Sequence, residues 1–260
     1  MKIIKWEELP ENMQNAEVKK YYDILKKKRA SLFFKRAFDI FASLFALILL
    51  SPVYLILAIA IKIDSPGPVF YRQERVTQYG KHFKIHKFRT MVQNADKGSQ
   101  LTTKNDARVT RVGKLIRGCR LDEIAQLIDV LQGTVTLCGV RPECPKYVDK
   151  YTNEMMATLL LPAGVTNLAC IYYKDEAKML DGESDTDKIY IEKILPEKMY
   201  YNLKGIETFS FWKDIKILFM TVFAVLGKDY KKQEEKRQNK LKKKNSQLEK
   251  NESSPVESNV

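Results

Sequence analysis

Histidine is almost missing from this 260-residue chain, which has only two, and cysteine and tryptophan are scarce at four and two. Cys119, Cys138, Cys144 and Cys170 form no CxxC pair and no small-scaffold spacing, so they read as reduced thiols in a cytoplasmic protein. His82 and His86 stand at i, i+4, but a zinc site needs further ligands at matching spacing and none follows; they read as surface histidines. The first apolar run is not expected to be a cleavable leader, because it starts far from the N-terminus and no small-residue cleavage site follows it. The body of the chain also lacks a charge excess. Of a net +13, residues 1–36 carry +5 (ten basic, five acidic) and residues 228–250 carry +6 (ten basic, four acidic). Residues 251–260 carry −2, which leaves +4 for residues 37–227. A nucleic-acid-binding domain concentrates positive charge on its folded body. Basic ends on a balanced body point instead to the anionic lipids of a membrane surface. With 45% hydrophobic residues the chain can bury a proper core in one or two domains.

The longest stretch without charge is Ile40 to Ile61. Its twenty-two residues would reach across roughly 30 Å of hydrocarbon as a helix. Ser51-Pro52 lies in its middle, where proline removes a backbone hydrogen bond and Ser51 offers a hydroxyl in exchange. Both flanks are basic, with Lys26, Lys27, Lys28, Arg29, Lys35 and Arg36 before it and Lys62, Arg72, Arg75 and Lys81 after. A spanning helix satisfies the positive-inside preference at only one end, whereas a re-entrant hairpin satisfies it at both. On these grounds the hairpin and a kinked span stand as equal alternatives. Asp39, beside Arg36, is expected at headgroup level.

Beyond Ser65-Pro66-Gly67-Pro68 a short strand is expected at 69–71, and after a turn at Tyr79-Gly80 a second over 82–89, where apolar and polar residues alternate. The polar stretch 92–107 reads as loop. Arg108, Arg111, Lys114, Arg117 and Arg120 recur every three residues, which predicts a basic helical stripe suited to phosphates. They lead into Asp122-Glu123 and an apolar pattern ending at Gly133, which predicts a helix from about Asp122 to Gln132. The plain role for Asp122 is an N-cap. Two carboxylates at a helix start beside arginines also suit phosphoryl transfer, one attacking phosphorus and the other holding Mg²⁺. Arg141, next to Pro142 in a tight loop, is suited to clamp a diphosphate.

Taken in order, these pieces resemble the bacterial sugar transferases known as monotopic phosphoglycosyl transferases, or polyprenyl-phosphate glycosyl-1-phosphate transferases. The matching pieces are KRAFD at 35–39, SP at 51–52, IKIDSPGPVFYRQER at 61–75, KFRTM at 87–91 and RVTRVGKLIRGCRLDEIAQLIDVLQG at 108–133. They continue with GVRPE at 139–143, PAGVTNLA at 162–169, Asp187–Tyr190 and FWKDIKILF at 211–219. The resemblance implies a helix–break–helix at Ser51-Pro52 that enters and leaves the inner leaflet. It implies that Asp122 attacks the β-phosphate of a UDP-sugar and expels UMP, leaving a covalent phosphosugar that polyprenyl phosphate then takes up. Glu123 is implied as the Mg²⁺ ligand, Arg117, Arg141, Lys87 and Arg89 as phosphate-handling residues, and Asp187 as a further acidic position. Val140, Asn167 and the segment from Cys170 to Glu176 depart from the family pattern, which bears on sugar and nucleotide specificity.

The expectation is an α/β protein in four parts: a basic segment 1–36, a membrane hairpin 37–62, a mainly helical catalytic domain with short strands over 63–227, and a basic disordered tail 228–260. Helix 211–227 is expected at the membrane surface. The implied role is to prime exopolysaccharide or capsule synthesis at the cytoplasmic face of the bacterial inner membrane, with a UDP-sugar, polyprenyl phosphate and inner-leaflet lipids as partners. No nucleic acid is expected, and self-association stays open. The rival reading is a catalytically silent membrane scaffold of a glycan assembly complex, which has no need of Asp122, Glu123, Arg117 and Arg141 together.

Overall fold

The computed structural model describes residues 1–93, 95, 106–174, 176–180 and 185–234. Most of the loop expected over 92–107, and the expected tail from 235 onward, lie outside these residues.

Helix α1 (Ala16–Lys26) starts where the Asn15 side chain accepts from the Val18 amide at 2.9 Å, an N-cap that satisfies one orphan donor. Its Val18, Tyr21, Tyr22 and Leu25 recur on one face and are buried with Met156, Leu160, Leu203 and Ile206 from far along the chain. The N-terminal segment, expected as a basic region over 1–36, therefore contributes to the largest core, with Lys20, Lys26, Lys27 and Lys28 exposed.

Helix α2 (Arg29–Asp64) is one uninterrupted run of 36 residues. The expected break at Ser51-Pro52 is not a gap in the helix. Pro52 has no N–H to give the Ile48 carbonyl, and Ser51 Oγ donates to that carbonyl at 2.8 Å instead. Both arms of α2 dock on the same body. From the first arm, Arg36 donates to the Val130 and Leu131 carbonyls at 2.6 and 3.0 Å, and Lys35 pairs with Asp214 at 2.6 Å. Asp39 is buried and accepts from Thr136 Oγ1 at 2.5 Å and from the Leu137 amide, which corrects its expected place at headgroup level. From the second arm, the Tyr54 hydroxyl donates to the Ile124 carbonyl at 2.5 Å, and Leu57 and Ile61 are buried with Phe88, Ile116 and Ala125. Between the arms the helix is bare: Phe41, Phe45, Ile48 and Leu49 are all at least 66% exposed. The two anchors lie close in sequence, Ile124 in the 3-10 turn Leu121–Ala125 and Val130 in the helix that follows it.

Strands β1 (Phe70–Val76) and β2 (His82–Phe88) form an antiparallel hairpin, with Lys87 opposite Tyr71, closed by a turn in which Tyr79 and Gly80 have φ of 59° and 74°. His86 is not the surface residue expected. It is buried between Arg72 and Asp129, with ring nitrogens 2.7 Å from each. Helix α3 (Arg111–Gly118) is capped by Thr110. Arg120 follows in the left-handed region (φ 54°), a 3-10 turn Leu121–Ala125 comes next, and α4 (Gln126–Gln132) ends at Gly133 with φ 88°. The predicted start and stop are met, but the first turn is 3-10, and Arg120 rather than Asp122 occupies its N-cap position. The basic stripe is also broken: Arg108 lies before α3 and pairs with Asp106, and Arg120 lies after it.

Strand β3 (Val135–Cys138) pairs in parallel with β4 (Ala163–Thr166). The strands run on into a contact that only glycine permits: a Cβ on Gly164 would fall 2.2 Å from the Gly139 nitrogen. Around this small sheet lie α5 (Pro145–Val148), α6 (Leu168–Tyr172), α7 (Glu176–Met179), α8 (Thr186–Ile189), α9 (Leu195–Glu207) and α10 (Phe211–Val225). A π-helical turn, Tyr190–Ile194, joins α8 to α9. Helix α10 buries only Ala224 and exposes Trp212, Phe219, Val222 and Phe223. Among the described residues the architecture is α/β, mainly helical with two short sheets.

Candidate active site

The 3-10 turn places Asp122 and Glu123 where three elements meet. It packs on β2, which brings Lys87, and follows the end of α3, which brings Arg117. The loop after β3 brings Arg141, whose guanidinium binds both Glu123 oxygens, one pair at 3.3 Å and the other closer. This two-pronged geometry is one that arginine favours over lysine.

The two carboxylates are therefore unlike. Burial would push the Glu123 carboxyl up, but Arg141 and Lys87 more than offset it and hold it at about 2. Asp122 has no hydrogen-bond or ion-pair partner among the described residues, and it borders an open cavity of ≈380 Å³ with Arg117, Arg120, Glu123 and Lys174. Burial first, and the Glu123 charge second, raise the Asp122 carboxyl above the usual range, while Lys87, Arg117 and Arg141 pull it back. Burial, with Arg141 adding, lowers the Lys87 ammonium to about 8. A second cavity of ≈230 Å³ adjoins, lined by Glu123, Arg141, Cys170, Lys174 and Thr221 among others.

The sequence-derived set is thus gathered in part. Lys87, Arg117, Arg141, Asp122 and Glu123 share one electrostatic neighbourhood. Arg89 does not join it. Its guanidinium is buried against the last turn of α2, donating to the Ser65 and Pro66 carbonyls at 2.7 and 2.6 Å, where it serves as a C-cap. Asp187 does not reach the dyad either: it accepts from Lys146 Nζ at 2.8 Å and from the Tyr147 hydroxyl at 2.6 Å. Lys174 was missed by the sequence reading, since a lone lysine carries no local signal, and Arg120 counted there only as one rung of a stripe.

The family resemblance implies Mg²⁺, and the residues fit it in one respect. Asp122 and Glu123 crowd two negative charges that raise the Asp122 carboxyl, which a cation would relieve. Among the described residues no group of three His, Cys, Asp or Glu side chains forms a metal cage. Such a site would need phosphate oxygens of the substrate, the usual arrangement for this ion.

A family model described as bacterial sugar transferase matches residues 30–228. The chain belongs to this family. Among curated relatives it is 38% identical over 198 residues to the UDP-N-acetylgalactosamine-undecaprenyl-phosphate N-acetylgalactosaminephosphotransferase of Aeromonas hydrophila, a match covering 75% of this chain and 44% of the relative. It is 40% identical over 198 residues to the UDP-glucose:undecaprenyl-phosphate glucose-1-phosphate transferase of Klebsiella pneumoniae, covering 74% and 40%. The protein of the same name from Caulobacter vibrioides is 35% identical over 200 residues, covering 75% and 70%. The chain thus spans less than half the length of the first two relatives. Asp122 and Glu123, with the cations just described, lie within the matched residues.

Proposed function

We propose that this bacterial sugar transferase moves a sugar-1-phosphate from a UDP-sugar to polyprenyl phosphate and releases UMP, the priming step of a surface glycan. The observation that carries the reading is the inequality of the dyad. Glu123 is committed to Arg141, while Asp122 faces a basic cavity with no partner among the described residues. An Asp122 oxygen attacks the sugar-bearing phosphorus, the bond from that phosphorus to the bridging oxygen breaks, and UMP departs with the electron pair. The product is an aspartyl phosphosugar. An oxygen of polyprenyl phosphate then attacks the same phosphorus and returns Asp122 to a carboxylate, giving polyprenyl diphosphate sugar. Lys87, Arg117 and Arg141 neutralise the diphosphate, so that charge developing on the departing UMP meets fixed cations. Mg²⁺, held by Glu123 and Asp122 together with substrate oxygens, would add to that neutralisation. The relatives are named for undecaprenyl phosphate and for different sugars, which supports the acceptor class and leaves the sugar open.

We place the reaction at the cytoplasmic face of the bacterial inner membrane, with α2 as a re-entrant element. Both arms of α2 dock on one body, at Val130 and at Ile124, while the apolar stretch between them is bare; this supports a helix that enters and leaves the same leaflet. The chemistry is tested by incubating the protein with radiolabelled UDP-sugars and no acceptor. Label is expected on the wild-type chain and none on Asp122→Asn, which keeps the size but is a far poorer nucleophile. Turnover of wild type that never labels the protein would show direct transfer instead.

A further inference from the structure

Close behind Arg141 lies a buried cluster that the proposed chemistry does not use. Lys198, on α9 and 5% exposed, points Nζ at Glu143 Oε1 (3.2 Å), at Glu176 Oε2 (3.0 Å) and at the Tyr190 hydroxyl (2.8 Å). The Tyr190 hydroxyl also lies 2.6 Å from Glu143 Oε1 and donates to it. Tyr190 opens the π-helical turn, a rare feature that recurs at functional sites, and its ring packs 4.7 Å from that of Tyr147, the tyrosine that holds Asp187. Burying an ammonium and a carboxylate together is weak evidence for stability, so the pair invites another explanation.

Glu143 supplies it. Only Pro142 separates it from Arg141, and it lies close enough to contribute to the field on that guanidinium. The half-buried Glu123, which binds Arg141, and the buried Glu143, two residues further along the chain, thus both act on the charge of one arginine. The backbone between them is pinned: the Arg75 guanidinium donates to the Pro142 carbonyl at 3.0 Å, and the Val76 amide donates to the Glu143 carbonyl at 3.0 Å. What stays free to choose is the pairing of side chains. We propose that Lys198 and Tyr190 are positioning residues which, by occupying Glu143, prevent it from drawing Arg141 away from Glu123. Arg141 then keeps its grip on Glu123, and Asp122 stays available to the phosphate. The proposal rests on the phosphotransfer reading above.

An ordinary structural salt bridge predicts that removing either partner harms the enzyme alike. Rivalry predicts an asymmetry. Lys198→Met leaves Glu143 unoccupied and should lower kcat for UMP release on the order of a hundredfold, the scale of a misplaced catalytic group. Glu143→Gln removes the rival and should keep kcat close to wild type, even where its melting temperature drops as far as that of Lys198→Met. The double variant should regain most of the lost kcat. If Lys198→Met does not fold, Tyr190→Phe carries the test, with a smaller loss that Glu143→Gln reverses. Equal kcat losses in the two single variants, tracking their melting temperatures, would overturn the proposal, and so would an unimpaired Lys198→Met or Tyr190→Phe. A wild-type protein that releases no UMP from any UDP-sugar would overturn the phosphotransfer reading and the proposal with it, an outcome separable from failure of the variants alone.

Discussion

Asp122 and Glu123 are neighbours with the same chemistry, and the fold gives them opposite electrostatics. The sequence marked the pair but could not rank the two, because the arginine that separates them lies eighteen residues from Glu123. Lys87 and Arg89 make the same point. They sit two apart in one motif, yet Lys87 stays with β2 beside the dyad while Arg89 turns to carbonyls of residues 65 and 66, more than twenty positions back. Such long-range capping leaves no local trace in sequence. The raised Asp122 carboxyl and the Lys87 ammonium at about 8 set a pH window. In the proposed reaction Asp122 attacks as a carboxylate, so activity should be lost as pH falls through a point above the usual carboxylate range. Lys87 meets the diphosphate as an ammonium, so activity should be lost again as pH rises through about 8. A bell-shaped pH profile of kcat/KM, which reports the free enzyme, is expected. Lys87→Arg should move the alkaline limb upward while leaving the acid limb in place, and an unmoved alkaline limb would assign it to another group.

At the scale of elements, what could be read in advance was what depends on neighbours in sequence. The stop at Gly133 needed only a residue that tolerates positive φ, and the hairpin of β1 and β2 announced itself by alternation and the Tyr79-Gly80 turn. The basic stripe failed because Arg120 takes the left-handed region and ends the periodicity, something spacing alone does not disclose. The burial of His86 was equally hidden, since Asp129 covers it from forty-three residues away. Helix α2 was legible in composition and not in its docking. If its two arms emerge on one side, single cysteines at Lys28 and Arg72 in an otherwise cysteine-free chain should both be shielded in intact cells and both be labelled after permeabilisation. A flank that reacts from outside would show a span.

Across the whole molecule, the family match begins at residue 30, yet the first twenty-five residues supply a large part of the main core. Leu25, fully buried, closes α1 against residues 156–160 and 203–209. Leu25→Ala is expected to destabilise by about 2–5 kcal/mol, read as a lower denaturation midpoint in detergent, with labelling of Asp122 retained below that midpoint. A shift of a few tenths would mean that this segment is peripheral. Amphipathic spacing at Val18, Tyr21, Tyr22 and Leu25 was present in the sequence all along, but the count of lysines around it drew the reading toward charge.

The grip of α2 on the 3-10 turn and α4 also sets an altitude. Arg36 moors one end to Val130 and Leu131, Tyr54 moors the other to Ile124, and Asp122 stands two residues before that second mooring. In the re-entrant reading, the lengths of two side chains then decide how far below the headgroups the nucleophile rides. Under the proposed reaction, a nucleotide sugar would reach that level from the water below and a lipid phosphate from the leaflet above, and neither would have to leave its own phase to be joined.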